Sequence, residues 1–183
     1  MSTPIASRVG YLFAALLVVT SLVLSPKVQA EESSAEASKL LESAKTSAFQ
    51  LKRDAAVMES YRRSKVSWQS HATQIASIKK HVNDIGEVLR QLEEVRHTAA
   101  PWQQESIDRI TPLLKELASS TEGVIDGLNE RPRNLHLPVY MEYLVANRDL
   151  AAELAALVQD FVEYGKTKEQ LAKLHEKLGV GSK

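Results

Sequence analysis

The chain has 183 residues, no cysteine, 44% hydrophobic and 25% charged side chains, and a formal net charge of zero. These values exclude a disordered chain, a chain embedded in a membrane along its whole length, a disulfide framework, a lipidated cysteine and a C-x-x-C-H haem attachment. Aromatic content is only 5%, and a core built from Leu, Ile, Val and Ala suits helices better than a sandwich or barrel.

Residues 1–30 differ in kind from the rest. Arg8 is the only charged side chain before Lys27, and Tyr11 to Leu24 runs without a charge. Ser25-Pro26-Lys27-Val28-Gln29-Ala30 follows, then Glu31-Glu32. A basic start, an apolar run and small residues before a cut are the order of a secretory signal, with cleavage expected after Ala30. The alternative is an uncleaved anchor, but the run is shorter than the ~20 apolar residues that span a bilayer. No stable membrane span is therefore expected after cleavage, and the expected location is periplasmic or secreted. Cleavage takes Arg8 and Lys27 and no acid from 23 basic and 23 acidic residues, leaving 21 and 23 and a net charge of −2. Such a surface has no general attraction for nucleic acid.

From Glu31 onward apolar residues recur at alternating steps of three and four, the spacing of a helix that packs along one seam. The first seam is Leu41, Ala44, Ala48, Leu51, Ala55, Met58, and the second His71, Ile75, Ile78, Val82, Ile85, Leu89, Leu92. The third is Ile107, Ile110, Leu114, Leu117, Thr121, Val124, Leu128, and the fourth Tyr140, Tyr143, Asn147, Leu150, Leu154, Leu157, Phe161, Tyr164. A partial second stripe lies beside the seams, with Leu144, Ala151 and Val158 in the fourth segment, and it widens each seam to a bundle face.

The breaks divide the chain. Ala100-Pro101 is expected to end the second helix, and Arg131 to Pro138 is the clearest loop. Gly165 is expected to close the fourth helix, with Thr167 and Gln170 as a capping box for a short fifth helix through Leu171, Leu174 and Leu178 to Gly179. No Gly or Pro lies between Glu31 and Ile85. Arg62 to Ser67 is read as a turn there, because it yields four matched helices of about 28 to 32 residues; the alternative is one very long helix. Pro112 is expected to kink or locally open the third helix. The fold class is thus all-α: an antiparallel up-down four-helix bundle over residues 31–165, with a short C-terminal helix and tail at 166–183. One end, the top, holds the Arg62–Ser67 turn and the Arg131–Leu137 loop.

Three constellations carry functional interest. Thr121 and Asn147 interrupt apolar seams at matching depth and are expected to meet as a buried, register-fixing polar pair. The top gathers Arg62, Arg63, Lys65, Arg131 and Arg133, a candidate patch for an anionic partner, with Glu59 and Glu130 as opposing charges. It also gathers Tyr61, Trp68, His71, His136 and Tyr140 as a candidate aromatic and histidine end pocket, with Tyr143 nearby. Set against both, bundle ends are often closed by aromatics and loops are charged because they are wet.

Bundle di-metal sites use two Glu-x-x-His motifs, and Glu94-Val95-Arg96-His97 is the single match. Met58 and His71 at the top keep a haem held by Met and His as the alternative to a chain without cofactor. Gly123 and Gly127 read as a place of close helix approach or fraying. G-x-S-x-G, H-E-x-x-H and Gly-rich phosphate loops are all missing from the sequence, so no enzyme activity, metal or cofactor is expected. The expected role is a non-enzymatic bundle that binds a protein or cell-envelope component, through an end or the fifth helix. The alternative is a carrier of a small ligand, haem or metal inside the top. Nothing in the sequence specifies an oligomeric state.

Overall fold

The computed structural model describes residues 33–130, 132 and 135–179. The expected signal segment with its cut after Ala30, and Arg131 and Arg133 of the long loop, lie outside the described residues. Among the described residues the chain is all-helical. Helix α1 spans Ala35–Ser60, α2 Trp68–Glu94, α3 Pro101–Glu130 and α4 Pro138–Leu178, with 3-10 turns at Tyr61–Arg63 and Arg96–Thr98.

Local chemistry sets these limits. The Ser34 and Ser67 hydroxyls accept from the backbone N–H of Ala37 and Ser70, capping α1 and α2. A serine cap satisfies one of the four donors that a helix start leaves unpaired. Pro101 and Pro138 open α3 and α4, where a missing N–H costs nothing. The break between α1 and α2 falls in Arg62–Ser67 without Gly or Pro: Ser64 turns to extended backbone at φ −141°, and Ser67 restarts the helix.

The four helices pack together, with α1 against α2 and α4, and α3 against the same two. Every residue of the first three seams is buried. Burying a Leu or Ile side chain contributes about 1.5–3 kcal/mol, so Leu41, Leu51, Ile78, Ile85, Ile110 and Leu117 anchor one shared interior. Its α1 side is lined by small residues, Ala37, Ala44, Ala48 and Ala55. His81 joins α2 to α1, with Nε2 3.3 Å from Asp54 Oδ2, and Arg109 of α3 lies over the Phe161 ring of α4 at 5.5 Å.

Four expectations are corrected. First, the buried stripe of α4 is Tyr140, Leu144, Asn147, Ala151, Leu154, Ala155, Val158 and Val162. Tyr143 and Tyr164 are exposed, and Leu150, Leu157 and Phe161 are half-buried. The helix is rotated toward its second stripe because it packs on both α1 and α3. Second, no fifth helix separates from the fourth: α4 continues through Gly165 to Leu178. Thr167 does not cap but donates to the Glu163 carbonyl at 2.9 Å, within the helix. Glycine in a helix interior costs only about 1 kcal/mol, and packing offsets it here. Third, α2 ends at Glu94, six residues before Ala100, and a 3-10 turn fills the gap. Fourth, α3 is not interrupted at Pro112, which lies inside the helix, so the local opening is not seen. That proline lies on the exposed face, where water can serve the carbonyl left without its helical donor.

Candidate functional site

At the α1–α2 turn, three of the five expected aromatic and histidine side chains come together. Ser67 starts α2 so that His71 falls in its first turns, and Pro138 does the same for Tyr140 in α4. His71 Nδ1 and the Tyr140 hydroxyl are 2.8 Å apart, and both residues are buried. The Tyr61 ring meets His71 edge-on at 5.0 Å. Burial holds the His71 imidazole below its ordinary 6.5 and pushes the Tyr140 phenol up, so at neutral pH both are uncharged and each satisfies the other. Trp68 is 49% exposed and His136 is exposed; neither joins the cluster. Of the expected end pocket, the structure thus brings together Tyr61, His71 and Tyr140.

Of the cationic patch, the structure describes Arg62, Arg63 and Lys65. Glu59 is buried at the end of α1. Arg62 and Arg63 donate to its two carboxylate oxygens at 3.1 and 3.0 Å. A buried carboxylate needs such partners, so both guanidiniums are paired within the turn, while the Arg63 side chain stays 75% exposed. Lys65 is exposed, and Arg131 and Arg133 lie outside the described residues. Beside the turn, Arg62, Pro138, Met141, Glu142, Val145 and Ala146 line an open groove of about 400 Å³. Its apolar floor suits an apolar side chain or a small ligand.

Thr121 and Asn147 meet inside the bundle. The Thr121 hydroxyl lies 2.7 Å from Asn147 Oδ1 and 2.8 Å from the Leu117 carbonyl. The Asn147 amide donates to Ser120 Oγ at 2.9 Å and to the Tyr143 carbonyl at 3.0 Å. Every polar atom of the pair is thus partnered. Gly123 and Gly127 seat aromatic rings: an added Cβ would stand 2.6 Å from the Tyr143 ring and 2.9 Å from the Tyr140 ring, respectively.

Sequence reasoning missed the opposite end. Gln103 is wholly buried. Its Oε1 accepts from the Ala100 and Ser34 N–H groups at 2.9 and 3.0 Å. Its Nε2 donates to the Ser34 carbonyl and Ser38 Oγ at 2.9 and 3.0 Å. One side chain so ties the start of α1 to the start of α3. Trp102 donates to Ser33 Oγ at 3.1 Å, lies edge-on to Tyr164 at 5.6 Å and rests on Gly165, where a Cβ would stand 2.6 Å from the ring. A signal was present: glutamine three residues into a helix reaches back to the cap N–H, and Gln103 does so to Ala100.

Beyond Lys166, which pairs with Glu42 of α1 at 2.6 Å, α4 leaves the bundle. Residues 169–178 are exposed throughout and project about 15 Å at 1.5 Å per residue. Leu171, Leu174 and Leu178 are 52%, 49% and 61% exposed. Glu169 and Lys173 pair at 2.6 Å, and Gly179 ends the helix at φ 61°. The left-handed backbone there favours glycine.

Among the described residues no helix is long and apolar enough to cross a membrane, and no group of three or more His, Asp or Glu is placed to hold a metal ion. Glu94 of the lone Glu-x-x-His motif pairs instead with Arg90, which also donates to Glu87. Comparison with family models, curated proteins and solved structures finds no match.

Proposed function

We propose that the chain is an exported, non-enzymatic helical bundle that binds a protein or cell-envelope partner through the projecting end of α4. In this reading residues 1–30 direct export and are removed after Ala30. The four helices then alternate in direction, and the bundle serves as a rigid mount. The observation that carries the reading is the exposure of Leu171, Leu174 and Leu178 on one helix beyond a filled interior. Three leucines along a single edge are a poor surface for water and a good one for a partner.

The test has two parts. Protein recovered from the native host should begin at Glu31 and lie outside the cytoplasm. Cross-linking in the native envelope should yield adducts with the wild-type chain that disappear in a Leu171→Ser, Leu174→Ser, Leu178→Ser variant. Identical adducts from both chains would overturn the reading.

The groove beside Arg62 favours a second reading, a small-ligand carrier with its site at the top. A Soret band, stoichiometric metal or a co-purifying small molecule in protein from the native host would move that reading to first place.

A further inference from the structure

The projecting end of α4 also indicates what covers it. Tyr164, Thr167, Leu171, Leu174 and Leu178 follow each other at steps of three, four, three and four. At 100° per residue they fall within about 80° of the helix surface. That width is a coiled-coil seam; a helix lying in a bilayer surface presents a broader apolar face. Charge then narrows the choice. Lys168 and His175 border the seam on one side, and Glu163, Gln170 and Lys177, with Lys173 behind, on the other. Glu169 and Glu176 lie on the opposite face. The Glu169–Lys173 pair draws that lysine partly toward the back and leaves Lys168 and Lys177 as the flanking charges along the three leucines. In a coiled coil, flanking positions choose the partner by opposite charge. A parallel second copy would offer Glu163, already bonded to Gln159, to Lys168, set Gln170 against His175 and leave Lys177 without an acid, so it would match the charges beside the seam only in part.

Resting on the binding role given above, we propose that the end of α4 docks a helix of another protein that has an apolar three-four seam flanked by Glu or Asp. Such a helix buries the three leucines and pairs its acids with Lys168 and Lys177. The helical continuity of α4 preorganises the surface, because a segment joined to a folded helix needs no nucleation of its own.

The probe is a synthetic helical peptide of four heptads with Leu in its seam and Glu at the flanking positions, titrated against the full purified chain. A matched peptide with Lys at the flanks is the control. The Glu-flanked peptide is expected to bind about tenfold or more tightly than the Lys-flanked one, and more weakly as salt rises. Leu171→Ala with Leu174→Ala should abolish binding without changing the melting temperature, since both side chains are exposed. Lys168→Glu with Lys177→Glu should reverse the preference between the peptides. Equal binding of both peptides, or none of either, overturns the proposal. So does leucine-dependent dimerisation in sedimentation, or leucine-dependent binding to phosphatidylglycerol–phosphatidylcholine vesicles in place of the peptide. If leucine-dependent cross-links in the envelope persist while the peptide fails, the chemistry assigned to the partner is wrong and the binding role stands; if both fail, both fall.

Discussion

Removing one member of the Thr121–Asn147 pair has different consequences depending on which is removed. Thr121→Val leaves the buried Asn147 oxygen without a donor, which costs about 1–3 kcal/mol. Asn147→Leu removes that oxygen altogether, while the Thr121 hydroxyl retains the Leu117 carbonyl as acceptor. Its stability should stay within about 1 kcal/mol of wild type. Urea midpoints at unchanged m-value measure both, and equal losses would contradict this account of the pair. His71 gives a second residue-scale test. Burial lowers its pKa from 6.5, so the unfolded chain takes up a proton first as pH falls. Stability from this group is complete above about pH 6.5 and declines as pH drops from there toward the folded-state value. The loss is at most about 1.4 kcal/mol for each pH unit. Between about pH 7.5 and about pH 5.5 the wild type should therefore lose more stability than His71→Gln. Equal losses would show that His71 is not held neutral by its burial.

At the scale of elements, Gly165 separates what the sequence showed from what it concealed. Read alone, a glycine after a long apolar run signals a helix end. The structure uses it as a seat for Trp102, a contact between residues more than sixty positions apart that no local pattern encodes. Gly165→Ala gains about 1 kcal/mol of helix propensity but drives a Cβ into a ring held by Ser33 and Tyr164, an overpacking that costs about 1–3 kcal/mol. Thermal melts should show a net loss of about 1 kcal/mol. With Trp102→Leu as background the same change should become neutral or stabilising, and a loss in both backgrounds would refute the seat. The seams of α1, α2 and α3 were legible because apolar spacing reports one buried face directly. The turn at Arg62–Ser67 was legible from helix lengths and the Ser67 cap, and the meeting of Thr121 with Asn147 from counting their depth. The rotation of α4 was not, since two adjacent stripes were both apolar and only contact with two neighbours chooses between them. Glu59 was legible as a charge opposing Arg62 and Arg63, but not its burial between them.

At the scale of the whole molecule, one continuous helix has two regimes. Up to Val162, α4 shares the interior with α1 and α3; past Lys166 it stands in water with leucines along one edge. The bundle is closed at one end by Tyr61, His71 and Tyr140 and at the other by Trp102 and Gln103, so the projection is a surface the fold leaves without an internal partner. Residue-resolved hydrogen exchange on the purified chain tests this division most directly. The amides of Ile78, Leu114 and Leu154 should exchange with the protection of global unfolding, and those of Leu171, Leu174 and Leu178 about two orders of magnitude or more faster. Uniform protection along the whole of α4, or rapid exchange at Ile78, Leu114 and Leu154, would contradict the account.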